Sequence, residues 1–285
     1  MSVVVAEKAD RAQPPSRKTG WSGRRAARPR PPLWREALVI GSLLWLYDAV
    51  NNLSSLRLST ALANATGILH VERILHIDAE TPLNTWMAVH RGLGLIISNY
   101  YDNAHFIVTF ALVGWLWWRH PGHYRPLRNM LVLTNVIGFV VFWLYPVAPP
   151  RMLPGFVDVV ATTHAWGAWH SGALASQANE LAAMPSLHMA WALWCGLALW
   201  LIARRWPLKV AAVVYPAVTC VAVLTTANHF LIDVVAGAGA AVLAAGLAYG
   251  WVWWRNQRTA GPDERQRAPG PSAPAPSDAA AADAA

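Results

Sequence analysis

Residues 185–203 read PSLHMAWALWCGLALWLIA. One histidine, His188, stands near the start, and no acid or base follows until Arg204. About 20 apolar residues in helical form cross the hydrocarbon core of a bilayer, so this stretch predicts a membrane span. Working outward, comparable runs occur at about 34–52, 102–118, 128–147, 208–226 and 229–254. Hydrophobic residues make up 55% of the 285-residue chain and charged residues 13%, against about 25% charged in a soluble domain. The expected fold is therefore all-α: a polytopic integral membrane helical bundle of about six transmembrane helices, with amphipathic helices on its outer face. Three regions follow: a disordered basic arm (1–33), a membrane-embedded catalytic domain (34–256) and a disordered tail (257–285).

The net charge of +8 does not point to nucleic acid. Much of it lies in Lys8, Arg11, Arg17, Lys18, Arg24, Arg25, Arg28, Arg30 and Arg35. This Pro/Arg/Ala-rich arm has no apolar period. It also lacks the apolar core and small-residue cleavage site of a secretory signal, and it suits a cytoplasmic anchor near anionic lipid. The Pro/Ala/Asp-rich tail is likewise expected to be disordered. Cys195 and Cys220 fall mid-span and receive no role; their spacing to histidines makes no zinc motif.

Short basic segments fix direction. Arg119/Arg125/Arg128, Arg204/Arg205/Lys209 and Arg255/Arg258 fall on one side together with the N-terminal arm if there are six spans. The positive-inside rule makes that side cytoplasmic, in a multi-pass protein of the cell membrane with both termini inside. Tryptophan pairs at span ends, Trp117-Trp118 and Trp253-Trp254, suit an interfacial belt. Residues 53–101, with Glu72, Arg73, Asp78, Glu80 and Arg91 among apolar neighbours, are expected to form amphipathic helices on the outer face. Pro82 suits a helix start, and 82–98 dipping into or spanning the membrane is the alternative. Residues 148–184 form a second outer loop, whose His164 and His170 are read as surface residues.

Ionisable groups in membrane spans default to a functional reading. MPSLH (184–188) opens one apolar span and NHFLID (228–233) another. His188 and His229 are 41 residues apart, nearly all of it one span inward and one back, so both emerge at the outer face. Asp233, four residues after His229, shares its helical face, and Arg151 follows the outer end of the third span. This set suits phosphoryl transfer. His229 attacks phosphorus while Asp233 fixes its tautomer, His188 protonates the departing oxygen, and Arg151 holds phosphate oxygens through its planar fork. Ser186 and the N–H groups of the helix after Pro185 add donors. Tyr101, Asp102, His105 and Asn228 are candidate pocket residues. The chemistry requires no metal or cofactor; a two-histidine, one-carboxylate metal site on His188, His229 and Asp233 is the competing use of the same residues.

The motifs resemble the type 2 phosphatidic acid phosphatase superfamily, whose pattern is K-x6-R-P, then P-S-G-H, then S-R-x5-H-x3-D. Met184–His188 resembles the second part and His229-x3-Asp233 the third, over roughly residues 100–254. The resemblance implies a nucleophilic His229, a supporting Asp233 and an acidic His188. It also implies a lipid phosphate ester as substrate, with membrane lipids as surroundings. The departures are Leu187 for the family glycine, and Ala222 and Val223 where Ser-Arg would fall. Arg119 to Arg125-Pro126 imitates the first part, but the topology puts it across the membrane, which leaves Arg151 as the phosphate clamp. The run Tyr145–Arg151, with P-S-L-H and Asn-His-Phe, is similar to the aureobasidin-sensitive inositol phosphorylceramide synthase branch, which transfers a phosphorylated headgroup between lipids. A simple lipid-phosphate phosphatase is the alternative within the class. A transporter using a His/Asp relay, or a non-catalytic lipid-binding protein, is the alternative outside it.

Overall fold

The computed structural model describes residues 30–54, 57–163 and 181–259. Most of the arm, the tail after 259, and His164 and His170 lie outside the described residues. Within them the chain is helical: α1 (Leu33–Ser54), α2 (Leu58–Ile74), α3 (Glu80–Val89), α4 (Arg91–Arg119), α5 (Pro121–Leu144), α6 (Val159–Thr163), α7 (Leu187–Ile202), α8 (Trp206–Thr225) and α9 (Leu231–Thr259). A parallel bridge pairs Val147 with Ala182.

Among the described residues, α1, α4, α5, α7, α8 and α9 overlap the six expected spans. Pro121–Leu144, Trp206–Thr225 and Leu231–Arg255 are long and apolar enough to cross a membrane by length and composition, and Leu187–Ile202 is a shorter apolar helix. Large apolar side chains face outward along the bundle, among them Leu38, Trp45, Ile107, Phe110, Val140, Val213 and Val242. Water would penalise such a continuous coat, whereas lipid solvates it. Beneath it, Trp194 is fully buried against Leu127, Met130 and the alanines 241, 244 and 248 of α9. Its indole N–H donates to Leu127 O at 2.7 Å, which satisfies the one polar atom of that ring. Cys195 is buried in the same cluster.

One boundary differs from expectation. The second span begins at Arg91 rather than near 102. Residues 82–98 are not one unit: α3 ends at Val89, the chain bends at His90, and α4 continues from Arg91. Gly94 explains the extension, because a Cβ there would lie 3.2 Å from Val159 and 3.3 Å from Thr163. The bare backbone lets α6 pack on the first turns of α4. Within residues 58–89 lie two helices, α2 and α3.

The two ends of the bundle differ in charge. Arg30 donates to Trp118 O at 2.7 Å, and Trp117 Nε1 donates to Pro31 O at 3.2 Å. Glu36 accepts from Tyr124 OH at 2.8 Å and lies 3.6 Å from Arg128. These contacts gather the start of α1, the end of α4 and the start of α5. The short α4–α5 and α7–α8 connections bring Arg119, Arg125, Arg204 and Arg205 to the same end. There Arg119 lies over Trp118 and Arg258 over Trp254. This basic, aromatic end matches a membrane interface. The opposite end carries α2, α3, α6 and both histidine motifs.

Close approach of α7 and α9 depends on Gly237. A Cβ at this position would run into the Ser186 backbone carbonyl, next to the bond from Ser186 N–H to Asp233 O at 2.9 Å. Gly237→Ala is expected to cost about 1–3 kcal/mol of stability through overpacking. Thermal unfolding in detergent should show it as a lowered Tm, while Gly239→Ala, whose Cβ meets nothing within 4 Å, should leave Tm unchanged.

Candidate active site

Ser186 begins the site's first element. Its Oγ accepts from Met189 N–H at 3.3 Å, the N-cap bond that starts a helix. That cap sets His188 in the first turn of α7. The residue expected to donate to phosphate is thus fully buried and engaged as a cap. Leu187 points the other way, and its Cδ2 fills the notch left by Gly138 of α5. The departure from the family glycine is therefore accommodated inside the bundle.

The second element is the turn between α8 and α9. Ala227 has a left-handed φ of 53°, and Asn228 and His229 both donate their N–H groups to Val223 O. This tight turn buries His229 to 4% exposure and aims both ring nitrogens. Nδ1 lies 2.8 Å from Ala183 O and 3.7 Å from Asp233 Oδ2. Nε2 lies 3.3 Å from Nδ1 of His188. With Nδ1 protonated, the ring donates to the Ala183 carbonyl and faces the carboxylate. The shorter contact makes the carbonyl the main tautomer lock, a group invisible in the motif. Asp233 is fully buried and also accepts from Phe230 N–H at 2.9 Å.

The two partners approach opposite edges of the His229 ring. Asp233 addresses the Nδ1 edge of His229 and His188 the Nε2 edge, so the three side chains do not converge on one ion. No metal-holding group of His, Cys, Asp and Glu occurs among the described residues.

His188 is held by aromatic contacts from α4. Tyr101 stacks on it with ring centroids 4.4 Å apart, and His105 meets it edge-on at 4.3 Å. His105 Nδ1 is in turn 3.0 Å from Tyr101 O. Tyr101 and His105, two of the four candidate pocket residues, therefore touch His188. Asp102 is buried beside Tyr101. Because α4 starts at Arg91, all three sit about three turns into the helix rather than at its tip.

Arg151 arrives from the turn Pro150–Met152 after α5. Its backbone N–H donates to Ala227 O at 2.9 Å, its Nη1 to Asn228 Oδ1 at 2.6 Å, and its Nε lies 3.3 Å from Asp158 Oδ2. Asn228 thus serves as the link between the arginine and the histidine turn. Arg125 lies near the start of α5, about 28 Å along the helix from its site end. Ala222 and Val223 are fully buried in apolar core, where the family's arginine would have no outlet.

This His–His–Asp arrangement lies within a stretch that matches a known family. A family model described as the PAP2 superfamily matches residues 66–247. The chain belongs to the PAP2 superfamily. Membership supports an enzyme of the lipid phosphatase or phosphotransferase type, acting on lipid phosphates in a membrane. No curated protein and no solved structure matches. The PAP2 match begins earlier than the stretch near residue 100 where the motif resemblance starts, and takes in most of α2 and all of α3. Those helices supply residues that motif reading passed over. Asn84 of α3 donates to Val157 O at 2.9 Å and to Thr225 O at 3.1 Å and accepts from Val157 N–H. It pins α8 to the segment bearing Asp158. Glu72 of α2 reaches the start of α9.

Proposed function

We propose that this PAP2 member transfers a phosphoryl or phosphorylated headgroup from a lipid phosphate ester through a covalent intermediate on His229 Nε2. The observation that carries the reading is the two-sided environment of His229. A carbonyl and a carboxylate lie at Nδ1, and a second imidazole lies at Nε2. Proton held at Nδ1 leaves the Nε2 lone pair for attack. The Nε2–phosphorus bond forms as the phosphorus–oxygen ester bond breaks, and the departing oxygen takes its proton from His188. Asp233 stabilises the positive charge left on the ring. In the second half, His188 removes a proton from the acceptor hydroxyl, the acceptor oxygen binds phosphorus, and His229 is released. Arg151 brings five N–H donors, more than Asn228 and Asp158 absorb, and supplies the rest to equatorial phosphate oxygens.

Resting Nε2 and Nδ1 are 3.3 Å apart, too close to admit a phosphorus atom between them. Substrate binding replaces that hydrogen bond by phosphate, with the His188 ring sliding on its Tyr101 and His105 contacts. The site lies at the end of the bundle opposite Arg119, Arg125, Arg204 and Arg205, which the positive-inside rule assigns to the outer face of the cell membrane.

Headgroup transfer rests on the Tyr145–Arg151 run, whose arginine is bonded to the histidine turn. Leu187 no longer supports it, because that side chain faces α5. Purified protein incubated with labelled phosphatidic acid, prenyl phosphates and phosphatidylinositol, with and without alcohol acceptors, tests the reading. Label is expected to move into a new lipid when an acceptor hydroxyl is present. Release as free phosphate under every condition would assign a phosphatase instead.

A further inference from the structure

Helix α9 carries Asp233 in its first turn and follows directly on the His229 turn. Phe230 precedes it, and the first turn of a helix leaves N–H groups without intrahelical partners. Asp233 takes the Phe230 N–H. The Ile232 N–H donates at 2.7 Å to Glu72 Oε1, a side chain 160 positions earlier. Glu72 on α2 and Glu80 in the first turn of α3 are both fully buried, and their carboxyls lie close enough for each to alter the other's hold on its proton. Glu72 Oε2 and both Glu80 oxygens accept no hydrogen bond from an N–H or hydroxyl among the described residues.

Two carboxyls in contact inside a protein do not both ionise, and a bond between them needs one proton. Burial raises Glu72 above the usual carboxyl range. Burial and the adjoining Glu72 push Glu80 up to about 9. The charged groups facing the pair add to this: Asp78 from the α2–α3 turn and Asp233 from α9. Arg73, the basic residue next to Glu72, is turned toward Asp78 at 3.3 Å.

We propose that Glu72 and Glu80, sharing one proton, are positioning residues that cap α9 from outside and so set His229 and Asp233 for phosphoryl transfer. One negative charge at the head of α9 suits the helix dipole. A second would repel Asp233. Glu80 therefore serves as the donor that orients Glu72 while limiting the charge. The role in transfer rests on the phosphohistidine reading; the cap itself does not.

The sign of the pH effect follows from the raised folded-state values. The contribution of the proton retained on Glu80 is complete below the ordinary carboxyl value near 4.5 and is lost as pH rises toward about 9. Activity should decline on the alkaline side as the shared proton leaves.

The full chain in detergent micelles allows two readouts: amide hydrogen exchange at Ile232, and steady-state turnover of labelled phosphatidic acid. Glu72→Ala is expected to release the Ile232 amide to exchange and to lower kcat on the order of 10²-fold, as small misplacements of reacting groups do, with KM little changed. Glu72→Gln keeps a carbonyl acceptor and should restore both. Glu80→Gln keeps a donor toward Glu72 and should flatten the alkaline decline. Unchanged exchange at Ile232 in Glu72→Ala would overturn the proposal, as would Glu72→Gln behaving as badly as Glu72→Ala. If the wild-type protein turns over no lipid phosphate, the reading of the site fails, and the exchange result alone then decides whether Glu72 caps α9.

Discussion

His229→Ala is expected to abolish turnover of lipid phosphates, a loss of about 10⁴-fold or more, as with removal of other covalent nucleophiles. The size follows from geometry. His229 contacts Ala183 O, Asp233 and His188 together, so its deletion removes the attacking atom and separates the groups around it. The helix that follows it should survive. Asp233 keeps its bond to Phe230 N–H, and Ser186 N–H keeps its bond to Asp233 O. Circular dichroism and size-exclusion behaviour in detergent should match wild type. Substantial remaining turnover would remove His229 from the nucleophile's role.

His188→Ala is expected to cost about 10²–10⁴-fold on a lipid ester, the usual range for general acid–base catalysis. The loss should shrink sharply on an aryl phosphate whose leaving group departs without a proton. That contrast separates an acid from a structural residue. His188 is packed under Tyr101 and against His105, so its removal also opens space in the site. Disturbed packing would slow both substrates alike, whereas loss of a proton donor slows only the poor leaving group. Equal losses on the two substrates would place His188 among the packing residues.

The spans were legible because the bilayer imposes a length, and uninterrupted apolar runs such as 185–203 and 229–254 carry it directly. The start of α4 was not. Residues 91–101 contain Gly92, Gly94 and Asn99, which weaken a helical pattern, and their helix depends on α6 seating against Gly94. The histidine pair was legible for a topological reason: two spans and a short turn return the chain to the face it left. Arg151 was legible by the same count, which also set Arg125 aside. Ser186 was half legible, since its hydroxyl matters but as the cap of α7. The Ala183 carbonyl was hidden because every residue has one. Glu72 and Glu80 read as ordinary charges of an amphipathic segment, because the group that gives Glu72 its meaning, Ile232 N–H, is 160 positions away.

The central claim is a covalent bond between His229 and substrate phosphorus. Rapid mixing with a lipid carrying radiolabelled phosphate, followed by alkaline quench and peptide mapping, measures it most directly. The account predicts label on the peptide containing His229, stable to alkali, lost in acid, and missing from His229→Ala. Full turnover with no label on any histidine, under conditions that trap other phosphohistidines, would contradict it and leave direct attack by water or the acceptor as the chemistry of this site.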